Sequence, residues 1–266
     1  MPFTLAHPAV VLPLHSKCPT AFLALVVGSI APDIPYFFAG HTGDRLPNGH
    51  TLLGSIVVSI PLGIALLVAL IACRVVVVAP MWGRPRALVR EALDRVRYSH
   101  AAWAQAVPAV AIGVWLHILW DSFTHRDLWF VTHFPSLSAD VSPIAGHPIE
   151  LFRALYYLSS FVGVAATVWW CLRGVQRSAI AEAGDRPGWR PWALVGAIAV
   201  SCVWAWTAAR AAGPRYGSFH GRTYIALTSA LASYAVLYAA LGAIAVGMAT
   251  LRSRRSRLAA ASHPAQ

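Results

Sequence analysis

The chain has 266 residues, 58% hydrophobic and only 12% charged, with a mean hydropathy of +0.59. A soluble domain carries about twice that charged share, so a soluble globular protein is excluded; a β-barrel is too, for want of short period-two segments. The net charge of +11 does not point to nucleic acid, because the arginines sit mainly in loops flanking apolar runs, where they set membrane topology. What remains is an all-α, polytopic membrane helical bundle of about five to six transmembrane helices plus a short N-terminal helix, since helices satisfy their own backbone groups in lipid.

Residues 3–16 are apolar but too short to span, and Pro8 and Pro13 interrupt them. They predict a short helix lying in the interface or dipping into the bundle. No basic segment precedes them and no clear cleavage site follows, so they read as part of the mature protein. His7, next to Pro8, taken alone fits an interfacial histidine as well as a ligand.

Residues 21–38 contain Gly28, Pro32, Asp33 and Pro35, which argue against a straight lipid-facing helix. Two prolines around Asp33 predict a break whose freed backbone groups line a cavity. Of the ten acidic residues, only Asp33 and Asp121 fall within predicted apolar spans. A carboxylate in such a place must be paired, metal-bound or wet, which makes it a functional candidate.

Residues 40–50 form a loop rich in Gly, Pro and Asn, in which His41 reads as solvated. His50 closes it at the mouth of the next helix. Residues 52–78 are a nearly uncharged spanning run with Pro61 and Gly63 as its kink point. Residues 80–103 carry five arginines against Glu91 and Asp94, the pattern of an amphipathic surface helix.

Residues 104–123 span again and end in the stretch that carries the chemistry. His117, Asp121 and His125 follow one another at steps of four, so neighbours in the set share one helical face. Two imidazoles and a carboxylate on one face suit a divalent metal. The plainer alternative is a helix end whose polar groups meet interfacial water.

A long loop, 124–153, holds His133, His147 and Glu150, and its length is that of a cap over the site. Residues 154–172, 192–212 and 225–251 are the last spans. The chain thus divides into residues 1–172, which carry the His/Asp residues, and 173–266, a pair of helices with a basic tail. Loops 80–103 and 173–190 with the tail hold 13 arginines, against five in the opposite loops. The C-terminus is expected on the cytoplasmic side. The four cysteines form no CxxC pair and read as small buried hydrophobes.

The blocks MPFTLAHPAVVLPL, GSIAPDIPYF, GHTLLGS and HILWDSFTH, with WFV after them, resemble the signature of a bacterial membrane family, domain of unknown function 4184 (DUF4184). The resemblance covers roughly residues 1–165. More distantly the pattern is similar to inner-membrane metal-dependent hydrolases (YdjM-like) and to zinc-dependent phospholipase C. That resemblance implies a ligand set of His7, Asp33, His50, His117 and Asp121; the residues themselves put Asp33, His50, His117 and Asp121 first, with His7 and His125 as further ligands or supporting residues. One departure is plain: those hydrolases often place a second acid two residues after the first. Pro35 stands there, which counts against a dinuclear or trinuclear centre.

Three readings follow. The first is a metal-dependent hydrolase of the bacterial inner membrane, binding a divalent metal, zinc for preference, and acting on a lipid or phosphoester. The second is a transport or permeation protein using buried His and Asp. The third is a non-catalytic membrane scaffold in which these groups hydrogen-bond across helices. The bilayer is the expected partner, and nucleic acid is not.

Overall fold

The computed structural model describes residues 3–37, 49–144, 147–177, 188–213 and 219–261. The loop histidine His41 and the loop arginines Arg45, Arg186 and Arg215 lie outside them, and the side chains of His147 and His220 are likewise not described. Apolar helices dominate. Among the described residues five of them, Leu52–Ala72, His100–Asp121, Leu151–Val175, Arg190–Ala211 and Gly221–Arg257, are long and apolar enough to cross a membrane.

In chain order the elements are α1 (Thr4–Leu14), α2 (Phe22–Phe37), α3 (Leu52–Ala72), α4 (Arg74–Val78), α5 (Gly83–Tyr98), α6 (His100–Asp121) and α7 (Trp129–His133). A two-stranded antiparallel hairpin follows, β1 (Asp140–Ile144) with β2 (His147–Glu150), irregular between Asp140 and Ser142. The helices α8 (Leu151–Arg177), α9 (Arg190–Ala211) and α10 (Phe219–Ala261) complete the chain. The chain forms two compact units: residues 1–71 with 92–178, and residues 72–91 with 179–266.

In the first unit α2 packs against α6 along much of its length. The close approach rests on two glycines. A side-chain carbon on Gly28 would run into the Val110 carbonyl oxygen, and one on Gly113 would run into that of Leu25. Small residues are what let apolar helices meet backbone to backbone where lipid supplies no hydrophobic drive between them. Leu25, Val110 and Val114 are buried at this contact, whereas Trp115 and Leu119 are exposed on the other side of α6. That exposed side suits lipid.

The sequence-based boundaries shift in three places. The run 52–78 is not one helix: it breaks at Cys73, and α3 opens with a π-helical stretch, Ser55–Ser59, just before Pro61. Proline offers no N–H to its preceding turn, so the wider spacing falls where the helical ladder is already interrupted. The loop 124–153 is not irregular, since it contains α7, a 3₁₀ turn (Pro135–Ser138) and the hairpin. The cysteines are free, but Cys73, Cys171 and Cys202 are exposed rather than buried. Cys171 and Cys202 lie on exposed helix surfaces, and Cys73 at the break between α3 and α4.

In the second unit α9 packs against α10. The short α4 joins α10, with the Tyr238 hydroxyl donating to the Val77 carbonyl at 2.8 Å.

Candidate metal centre

The first unit gathers polar side chains from four separate segments at one buried point. α1 brings His7, the end of α2 brings Asp33, the residue pair before α3 brings His50, and α6 brings His117 and Asp121. His7 is 2% exposed, His50 7%, and Asp33, His117 and Asp121 0%. All five are therefore removed from solvent.

The local sequence explains how each is held. After Ile30 the α2 backbone tightens into a 3₁₀ turn, Ala31–Asp33, that carries Asp33 inward. In 3₁₀ pairing the Ser29 carbonyl would look to residue 32, but Pro32 has no N–H to give. That carbonyl instead accepts the Nδ1–H of His117 at 2.7 Å. A histidine that donates from Nδ1 presents the lone pair of Nε2, so His117 is oriented as a metal-binding histidine would be.

His50 is fixed from the α3 side. The Ser59 hydroxyl donates to the Gly49 carbonyl at 3.0 Å, and Thr51 caps α3 by accepting from the Gly54 N–H at 3.0 Å. The indole N–H of Trp115 on α6 donates to Ser55 Oγ at 3.2 Å, tying the π-helical stretch to α6. Tyr36 Oη stands 3.4 Å from His50 Nδ1. The ring of His7 stacks on that of His117, with centroids 3.7 Å apart.

The distances within the set are short and even. His7 Nε2 lies 3.8 Å from Asp33 Oδ2 and 3.6 Å from Asp121 Oδ1. His117 Nε2 lies 3.5 Å from Asp33 Oδ1 and 3.4 Å from Asp121 Oδ2. His50 Nε2 lies 3.7 Å from Asp33 Oδ1, 3.2 Å from Asp121 Oδ2 and 3.2 Å from His117 Nε2. Donors bound to one tetrahedral zinc at about 2.0–2.1 Å would stand about 3.3 Å apart.

Hydrogen bonding does not account for the two carboxylates or for Nε2 of His7. Both oxygens of Asp33, both oxygens of Asp121 and Nε2 of His7 are buried without a hydrogen-bond partner among the described residues. A buried carboxylate that accepts no hydrogen bond is costly. The chemistry of the donors, imidazole nitrogen and carboxylate oxygen, is that of a zinc-type cation. His7, Asp33, His117 and Asp121, with one donor atom each, lie within 4.8 Å of one another and could hold a metal ion.

Burial by itself would disfavour a cationic His50, but the carboxylates of Asp121 and Asp33 outweigh it and raise its pKa to about 9. A metal ion entering here must displace that proton. His125 stands beside the set and not in it. Its Nδ1 donates to the Asp121 carbonyl at 3.0 Å and is 3.9 Å from Asp121 Oδ2. Burial lowers its pKa to about 4, so the ring is neutral. Its Nε2 is a further buried atom with no hydrogen-bond partner among the described residues.

Two other polar residues singled out in the sequence turn elsewhere. His133 donates from Nδ1 to the Trp129 carbonyl at 2.8 Å and stacks on the Trp129 ring. Glu150 pairs with Arg126 and, at 3.3 Å, with Arg153. Sequence reasoning did not find the Ser29 carbonyl, Tyr36 or Ser59. No spacing rule reports a backbone carbonyl, and single hydroxyls beside apolar runs carry no signal.

An apolar cleft of about 280 Å³ adjoins the centre, lined by His7, Ala6, Val10, Trp120, Val162 and Gly163 among others. It lies between α1, α6 and α8. His7 therefore borders both the polar cluster and this cleft.

No curated protein and no solved structure matches the chain. A family model described as domain of unknown function (DUF4184) does match, over residues 1–251. The match takes in four of the apolar helices long enough to cross a membrane and most of the fifth, extending well past the N-terminal blocks. The chain belongs to the DUF4184 family.

Proposed function

We propose that this protein is a metal-dependent hydrolase of the bacterial inner membrane, acting on a lipid or phosphoester. The observation that carries the reading is the set of buried carboxylate oxygens of Asp33 and Asp121 that have no hydrogen-bond partner among the described residues and are faced by imidazole nitrogens at ligand spacing. In a scaffold the aspartates would be expected to hydrogen-bond across helices, and the carboxylate oxygens of Asp33 and Asp121 have no such hydrogen bond among the described residues. Zinc fits the donor set best among common divalent ions. A cation held here supplies Lewis acidity and a water whose pKa falls to about 7.

The chain's own residues do the rest. His117 is locked in its tautomer by the Ser29 carbonyl, and His7 is set by its stack on His117. The cleft beside His7 offers an apolar chain a place within reach of the polar centre, which favours a lipid substrate. The arginine bias sets the C-terminus in the cytoplasm, and with it the site toward the outer half of the bilayer.

The test uses full-length protein purified in detergent, assayed on fluorogenic lipid esters and phosphodiesters before and after chelation. Turnover should vanish with chelator, return on adding zinc, and be absent in His117→Ala. Turnover that survives complete metal removal would overturn the reading.

A further inference from the structure

The cluster contains more donor atoms than one cation can use, and they fall into two groups. His50 Nε2, His117 Nε2, Asp33 Oδ1 and Asp121 Oδ2 make the first. Five of its donor separations lie between 3.2 and 3.7 Å. Those separations match four donors around one tetrahedral cation. His7 Nε2, Asp33 Oδ2 and Asp121 Oδ1 make the second, with His7 at 3.8 and 3.6 Å from the two oxygens. Each carboxylate thus turns one oxygen to each group. A single zinc takes about four donors. A single calcium takes more, but it selects oxygen over the three imidazoles present here.

Resting on the reading that this is a metal site, we propose that it holds two divalent cations bridged by the carboxylates of Asp33 and Asp121. The first cation is held by His50 and His117 with all four positions filled by protein. The second is held by His7 with three, leaving a position open where His7 borders the apolar cleft. Closed sites are structural and open ones catalytic as a rule. Bridged pairs stand about 3.5–4 Å apart and clamp both oxygens of a displacement at phosphorus.

The pairing also names the substrate class. Two carboxylates neutralise one divalent cation, whereas a second leaves the buried centre with a double positive charge. Such a centre in low dielectric requires an anion. The substrate is accordingly a phosphoester carrying an apolar chain, in preference to a neutral carboxyl ester. The acid missing at position 35 is not needed for this count, because Asp121 from α6 supplies the second bridge.

The experiment measures metal bound per chain on full-length protein, stripped with chelator, reloaded with zinc and dialysed. Manganese-loaded protein is examined in parallel by electron paramagnetic resonance. The expected result is about two zinc ions per chain and a spin-coupled manganese signal. His7→Ala should retain about one ion, and turnover of a lipid phosphodiester should exceed that of the carboxyl ester with the same acyl chain. One ion per chain in the wild type with an uncoupled signal would overturn the pair while leaving a metal site in place. No bound metal at all would overturn both readings. Preference for the carboxyl ester would overturn the substrate class.

Discussion

The two units of this molecule are built from similar material and use it differently. The spans of the first unit have mean hydropathies of 2.6, 1.5 and 1.4, and those of the second 1.6 and 1.8. Hydropathy does not separate them. What separates them is the polar content of the interior. In the first unit three histidines and two aspartates meet at a buried point, whereas α9 of the second buries only Ala197, Ser201 and Ala205. Ser201 Oγ has no hydrogen-bond partner among the described residues, but a lone hydroxyl costs far less than a lone carboxylate. The difference teaches that apolar length reports only the bilayer, and that the expensive groups placed against that length report function.

Substitutions can sharpen or break this contrast. The largest effect is expected from Asp33→Ala or Asp121→Ala, because each carboxylate serves both groups of donors. Bound zinc should fall to less than a tenth of the wild-type content by mass spectrometry, in protein that still elutes as a single species. Gly28→Leu and Gly113→Leu come next. Each forces a side chain into a carbonyl of the facing helix, and overpacking of this kind costs roughly 2–3 kcal/mol. Thermal unfolding in detergent should show it, with metal lost as α2 moves away from α6.

Smaller still is Trp115→Phe, which removes the indole donor to Ser55. It should cost about 1 kcal/mol and loosen the first unit without emptying the centre. The smallest is Ser201→Ala, which should leave stability within about 0.5 kcal/mol and metal content unchanged. A Ser201 variant that lost metal would show that the contrast between the units is misdrawn.

Much of the arrangement was legible in the sequence for reasons that particular residues make plain. That His117 and Asp121 share a face follows from their spacing of four on an apolar helix. That Asp33 is buried and bent inward follows from a carboxylate between two prolines. His50 was readable because it directly precedes Thr51, the helix cap. His7 was not, because a histidine beside a proline in a short apolar segment fits an interface equally well. Its place depends on α1 folding back to stack it on His117, a long-range contact with no local signature.

The hairpin after α7 was also hidden. Asp140–Ile144 and His147–Glu150 each contain a proline and show no clean alternation, so the stretch reads as loop. Boundary errors at α3 have a similar source. Residues 52–78 are nearly uncharged, with Arg74 alone charged, and their hydrophobicity does not mark the break at Cys73 or the π-helical turn. The exposed cysteines show the same limit, since a residue at an apolar helix surface and one in its packed face have the same composition around them.

The most direct test of the central claim is X-ray absorption at the edge of the metal that the purified full-length protein carries. The expected spectrum shows a shell of nitrogen and oxygen at about 2.0–2.1 Å with the outer-shell pattern of imidazole, lost in the His117→Ala protein. A shell of sulfur at about 2.3 Å, which would require cysteine ligands, or protein free of metal after purification without chelator, would contradict it.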